Sequence, residues 1–276
     1  MRVRNMATER KFRLPKDIPL EEYPKPEVYL EEARRLIEAA QRQGLILRVM
    51  GPIALHYYFP DYVDLYQRME RLGERVFTDI DYAAYGKHRG KLVGFFQSQG
   101  YDYDRRTMML FGQNRHIYFS ERIPMIDVFF DRLDMNHCVD YKGRLEIHPY
   151  CVSLTDLLLQ KLQIVQINDK DLKDGMLLLL AAPVGDDDRD QINRRYVAKI
   201  MADDWGFYYT ATTNLGRIKA AMAGVAALSD EQRATISTKA DLILRAIEDA
   251  PKSSRWKRRA QVGTKKPWYN EVSDWA

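Results

Sequence analysis

The chain has 276 residues, 46% hydrophobic and 30% charged, which is the balance of an ordinary globular protein with ample material for a core. Its formal charge of +4 is small, no apolar run approaches the ~20 residues of a membrane span, and no apolar signal core follows the basic start at Arg2 and Arg4. A cytoplasmic protein with no membrane partner is therefore expected, and two cysteines, Cys138 and Cys151, are too few for a disulfide framework or a zinc site.

Residues 1–25 are charged and punctuated by Pro15, Pro19 and Pro24, and predict an extended arm. A helix over 27–42, stopped by Gly44, leads to a strand at 45–50 that Gly51 and Pro52 close before a helix start. Residues 60–73 read as an insertion, and the apolar run 76–82 as a strand. A helix over 90–99 and strands near 107–112, 116–120, 124–130 and 143–148 follow. From Ser153 onward the pattern is helical, over 153–165, 169–182, 190–203, 205–224 and 229–249, with a polar loop and helix cap at 185–188. The expected fold class is α/β (α+β): a mixed-sheet domain over 26–150, a C-terminal helical bundle over 151–250, and a basic, aromatic tail over 251–276.

The chemistry concentrates in three acids. Asp79 and Asp81 are two apart, so on a strand they project from one face while Ile80 points away. Asp127 lies between Ile126 and Val128, in an apolar setting where an idle carboxylate is costly. A second strand beside the first would bring the three together, and crowded carboxylates call for a divalent cation, Mg²⁺ or Mn²⁺, that shares its shell with phosphates. A solvated strand end is the plainer alternative for the pair alone. Gly51 adds a strand–glycine–helix turn that offers backbone N–H groups to an anion.

This ordered set resembles the nucleotidyltransferase superfamily of the polymerase-beta type, and more closely its bacterial branch of AbiEii-like toxins and uncharacterised relatives. The likeness covers roughly residues 45 to 182. It implies that Asp79, Asp81 and Asp127 bind metal, that Gly51 lies against a nucleoside triphosphate, and that Lys161 neutralises charge on the phosphates. It also implies a catalytic part for Asp171 and Asp174, with Asp171 the candidate general base. RNA or protein is the implied acceptor, and an antitoxin the implied partner. Two departures stand out: Pro52 has neither the N–H nor the hydroxyl that the family's residue offers there, and the spacing from Gly51 to Asp79 is long. They keep open a catalytically degenerate module that binds RNA or a protein.

The residues themselves leave other options. Lys161 falls in the middle of the apolar stripe of 153–165, where it either snorkels outward or meets the acids or a phosphate. Asp171 and Asp174 share a helix face on which Lys170 and Lys173 could balance them. Arg75 could pair with Asp79 or a phosphate or stand as a surface ion; His56 could contact phosphate, with a structural part the plainer reading. Tyr57, Tyr58, Tyr82 and Tyr85 could stack on a base, with core or wall positions the plainer reading for most of them. Arg115 and His116 read as plain hairpin residues. Over 251–270 there are seven basic residues and no acid, interleaved with Trp256, Trp268 and Tyr269. The favoured reading is a tail whose tryptophans dock it on the bundle, and RNA binding is the alternative.

Overall fold

A computed structural model describes residues 15–71 and 76–272. Helix α1 (Pro26–Arg42) starts at a proline and buries Tyr29, Ala33, Leu36, Ile37 and Ala40, one stripe at helical spacing. Gly44, at φ 68°, lets the chain turn into β1 (Leu47–Val49). Then come α2 (Gly51–Tyr58), α3 (Val63–Arg68), β2 (Ile80–Ala84), α4 (Arg89–Ser98), α5 (Arg105–Phe111), β3 (Arg115–Tyr118) and β4 (Ile126–Phe130). The four strands form one mixed sheet in the order β1-β2-β4-β3. Only β2 and β4 run parallel, and every residue of β4 is buried, as befits a central strand covered on both faces.

A small hairpin, β5 (Arg132–Asp134) with β6 (Cys138–Asp140), leaves the sheet. The chain then returns beside β1, where Val49 bridges Cys151, and enters α6 (Leu154–Leu162) through the Ser153 cap, whose hydroxyl accepts from Asp156 N. The rest is helical: α7 (Asp169–Ala181), the short pair β7 (Val184–Gly185) and β8 (Ile192–Asn193), α8 (Arg194–Asp203), α9 (Trp205–Ala221), α10 (Asp230–Asp249) and α11 (Ser254–Val262). Sheet and helices share one hydrophobic cluster that takes in Leu47, Ile80 and Val128 together with Leu158, Leu178 and Ile243. The α/β class expected from the sequence is the class found.

Several expected elements differ. Residues 107–112 were expected as a strand and form α5, because Asp104 accepts from Thr107 N and caps a helix there. No residue of α5 is buried, and Met109 and Leu110 face outward. The expected strand 143–148 is a run of turns: Gly143 sits at φ 67°, and Arg144 turns inward to Asp156 and Asp188 at 2.7 and 2.9 Å. The expected helix start at 190 gives way to β8, and the tail contains α11. Cys151 is buried and Cys138 exposed, and both are free thiols. Among the described residues no helix is long and apolar enough to cross a membrane.

Candidate metal centre and its basic flank

The register of the parallel pair decides the geometry. Asp81 on β2 stands level with Asp127 on β4, and Asp79 immediately precedes β2. An oxygen from each of the three carboxylates lies within 4.8 Å of the others. Asp127 is buried, while Asp79 and Asp81 are half-buried. Burial first, and then repulsion from Asp79 and Asp127, push the Asp81 carboxyl well above the usual carboxylate range. Burial and Asp127 likewise raise Asp79, against a 3.0 Å hydrogen bond donated by the Thr78 hydroxyl. Burial raises Asp127, and Arg115 offsets part of that cost.

Arg115 was not singled out by the sequence, and it is the closest cation to the triad's third acid. β3 runs antiparallel to β4 with Arg115 opposite Phe129, so the side chain reaches back two residues on the same face. Its Nε and Nη2 donate to the two Asp127 oxygens at 2.9 and 2.5 Å, a forked pair, with the guanidinium 5.2 Å above the Phe129 ring. The signal was available only once the β3–β4 pairing was known, since the spacing from 115 to 127 carries no period of its own.

Gly51 opens α2 at φ 65°, a conformation that L side chains rarely adopt, and a Cβ there would stand 3.4 Å from Asp81 Oδ2. Met50 N donates to the Asp81 carbonyl at 2.9 Å, which fixes the β1–α2 turn alongside the acid pair. Pro52 supplies no N–H to that turn, and its carbonyl accepts from His56 Nδ1 at 2.9 Å. His56 packs edge-on against Phe77 at 4.7 Å, and burial lowers its pKa, so it is a neutral core residue rather than a phosphate ligand.

Lys161, Asp171 and Asp174 do come together. Lys161 is nearly buried, and its Nζ stands 2.8 Å from Asp171 Oδ1 and 2.8 Å from Asp174 Oδ2. It does not snorkel to solvent. Burial alone would lower its pKa, but Asp174 and Asp171 overcome that and raise it. Asp174 also accepts from Arg71 Nε and Nη2 at 2.5 and 3.0 Å, and from the Tyr66 hydroxyl. Against burial, Lys161 and Arg71 hold its carboxyl down at about 2. Asp171 and Asp174 are thus counter-ions to a buried lysine, and the expected general-base part for Asp171 meets an oxygen already engaged by Lys161.

Lys173 instead pairs with Asp169 at 2.5 Å. Tyr66 and Arg71 belong to the stretch read as an insertion, so that stretch builds the basic flank. The Lys161 ammonium draws the Asp81 carboxyl downward, which couples this flank to the triad. Arg75 lies outside the described residues. The tyrosines fit the core-or-wall reading: Tyr58 and Tyr82 donate to the carbonyls of Val152 and Ala33 at 3.0 and 3.1 Å, Tyr57 to Leu30 O, and Tyr85 to Glu146 at 2.6 Å.

Comparison with protein-family models, curated proteins and solved structures found no match. The donor set itself suits a hard divalent cation: three carboxylates, half-buried to buried, with no sulfur or imidazole among them.

Proposed function

We propose that this chain is a metal-dependent nucleotidyltransferase of the polymerase-beta type, akin to the AbiEii-like branch, which moves a nucleoside monophosphate from a nucleoside triphosphate to a hydroxyl. The observation that carries this reading is the convergence of Asp79, Asp81 and Asp127 within 4.8 Å beside the Gly51 turn. The three acids would hold Mg²⁺ or Mn²⁺, which when bound neutralises triphosphate charge and eases ionisation of the attacking hydroxyl. The open Gly51 backbone lets phosphates approach next to Asp81. Lys161, kept charged by Asp171 and Asp174, is the lysine that the resemblance assigns to the phosphates. RNA, a protein or a small molecule is the acceptor, an antitoxin is the partner of a toxin-like role, and the cytoplasm is the compartment.

The test is transfer from labelled nucleoside triphosphates in Mg²⁺ or Mn²⁺ by wild type and by the Asp79→Asn/Asp81→Asn variant. Label incorporation that survives the double substitution would end the proposal. Pro52 and the Arg115 fork on Asp127 favour one other reading, a degenerate module that binds RNA or protein. Calorimetry with Mg²⁺ and each triphosphate separates them, because the module gives no heat at millimolar ligand.

A further inference from the structure

A second basic feature lies away from the acids. Arg255, Arg258 and Arg259 of α11 line a cavity of about 590 Å³ whose remaining walls include Trp205, Trp268 and Tyr269. Spacings of three and four put the three guanidinium groups on one helix face. The cavity is a built feature. Arg259 donates to the carbonyls of Gly263, Lys266 and Pro267 at 2.7, 3.0 and 3.1 Å and lies 4.9 Å over the Trp205 ring, which bends the chain after α11 into a strap.

Trp268 Nε1 donates to Thr210 Oγ1 at 3.1 Å, and the same hydroxyl meets His137 Nε2 at 2.8 Å. Asn270 N donates to the Asn136 carbonyl at 3.0 Å, and Asn136 Nδ2 returns a bond to Asn270 O at 2.8 Å. The strap passes so close to α9 that a Cβ on Gly206 would sit 2.3 Å from the Trp268 carbonyl. The tail's tryptophan therefore docks, as the composition led one to expect, and the docking leaves a pocket.

Arg259 is committed to this construction, but Arg255 and Arg258 are not. Both are exposed and have no hydrogen bond or ion pair among the described residues. Asp203 and Asp204 line the same cavity without pairing with either; Asp204 caps α9 by accepting from Phe207 N at 3.0 Å. The geometry points to a binding site for single-stranded nucleic acid. Arg255 and Arg258 are placed to fork onto phosphate oxygens, and Trp268 and Tyr269 offer ring surface to an unpaired base. The volume falls within the ~300–1,000 Å³ of ligand pockets, enough for unpaired nucleotides, whereas a duplex would present only its backbone to it. An acidic peptide would use the arginines and leave the aromatic wall idle. The inference stands apart from the acid triad and does not need it to be catalytic.

The experiment titrates the full chain into a fluorescein-labelled single-stranded RNA 12-mer and follows anisotropy at several salt concentrations. Arg255→Ala/Arg258→Ala alters two partnerless exposed side chains, so folding is not at stake. It is expected to weaken binding at least tenfold and to flatten the logarithmic salt slope by about 1.4, two phosphate contacts at ~0.7 each. Trp268→Leu should cost about fivefold or more, the scale of one lost stack. Asp81→Asn should bind as wild type does, which separates this site from the triad.

Unlabelled single-stranded DNA is the second arm. Equal competition assigns recognition to phosphate and base, and an advantage for RNA assigns it also to the 2′-hydroxyl; either upholds the site. Absence of saturable binding, an arginine variant that binds like wild type, or duplex or polyglutamate competing as well as single strands would overturn it.

Discussion

Asp81→Asn keeps the shape of the triad's middle side chain and removes its charge, so it should stabilise the metal-free protein even as it abolishes the proposed metal binding. The triad oxygens lie within 4.8 Å of one another, and two unit charges at that separation repel by about 3.5 kcal/mol at an effective dielectric near 20. Water reaches Asp79 and Asp81, which brings the figure to about 2 kcal/mol. At ~2–4 °C per kcal/mol for a chain of this order of size, Tm should rise about 4–8 °C at pH 8 in a chelator.

The pH dependence follows from the direction of the shift. Asp81's folded pKa is raised above its unfolded value, so the folded state holds more protons than the unfolded one. Stability therefore falls as pH climbs from ~4 through the folded pKa, and the advantage of the variant grows over that window and vanishes below it. Mn²⁺ at ten times its dissociation constant returns about 1.4 kcal/mol to wild type and nothing to the variant. Differential scanning fluorimetry at pH 4.5 and 8, with chelator and with Mn²⁺, reads all four states. A variant that melts below wild type in chelator at pH 8, or that gains as much from Mn²⁺, would refute the reasoning.

Arg115→Ala strips Asp127 of its fork and should destabilise the metal-free protein by about 2–3 kcal/mol, the lower end for a broken buried pair because Arg115 is partly exposed. Mn²⁺ should restore much of the loss, and a melting temperature indifferent to the metal would contradict that. Asp174, held at about 2, contributes stability that is present above pH ~4 and lost as pH falls through 2. Asp174→Asn should thus lower stability at pH 7 by about 2 kcal/mol and flatten the acid limb of a pH–Tm profile. Gly51→Ala should cost about 1–2 kcal/mol for its left-handed backbone and set a methyl beside Asp81. Nucleotide transfer should then fall more steeply than the small change in urea midpoint, and equal losses in both would count against close phosphate approach at that turn.

The acid triad was legible because it uses the one period a strand enforces. Asp79 and Asp81 share a face by alternation, and the apolar neighbours of Asp127 mark a buried strand, so only the pairing of β2 with β4 had to be supplied. What stayed hidden depends on partners remote in sequence. The run at 107–112 has strand-like composition, yet a single capping bond at Asp104 turns it into α5, with Met109 and Leu110 outside the core. Arg144 lies in the run 143–148 expected as a strand, and it is instead the buried hub between Asp156 and Asp188. Tyr66 and Arg71 sit in the stretch read as an insertion, because nothing local shows that they converge on Asp174 across more than a hundred residues.

The two charge systems explain why the acids at the sheet, and not those on α7, are the ones proposed to hold a cation. Asp171 and Asp174 face Lys161 and Arg71, two negative charges against two positive, and that cluster closes on itself within hydrogen-bond distance. Among the described residues, Asp79, Asp81 and Asp127 have only Arg115 in direct contact, which leaves two negative charges within that set when all three are ionised. That residue is the charge of one divalent cation, and burial makes it costly to leave unmatched. Without the cation the chain's remaining recourse is to keep protons on these carboxyls, which is the direction in which all three are shifted. A proton and the proposed metal ion would therefore compete for the same oxygens, and the apparent metal affinity should rise with pH over the range in which these carboxyls ionise.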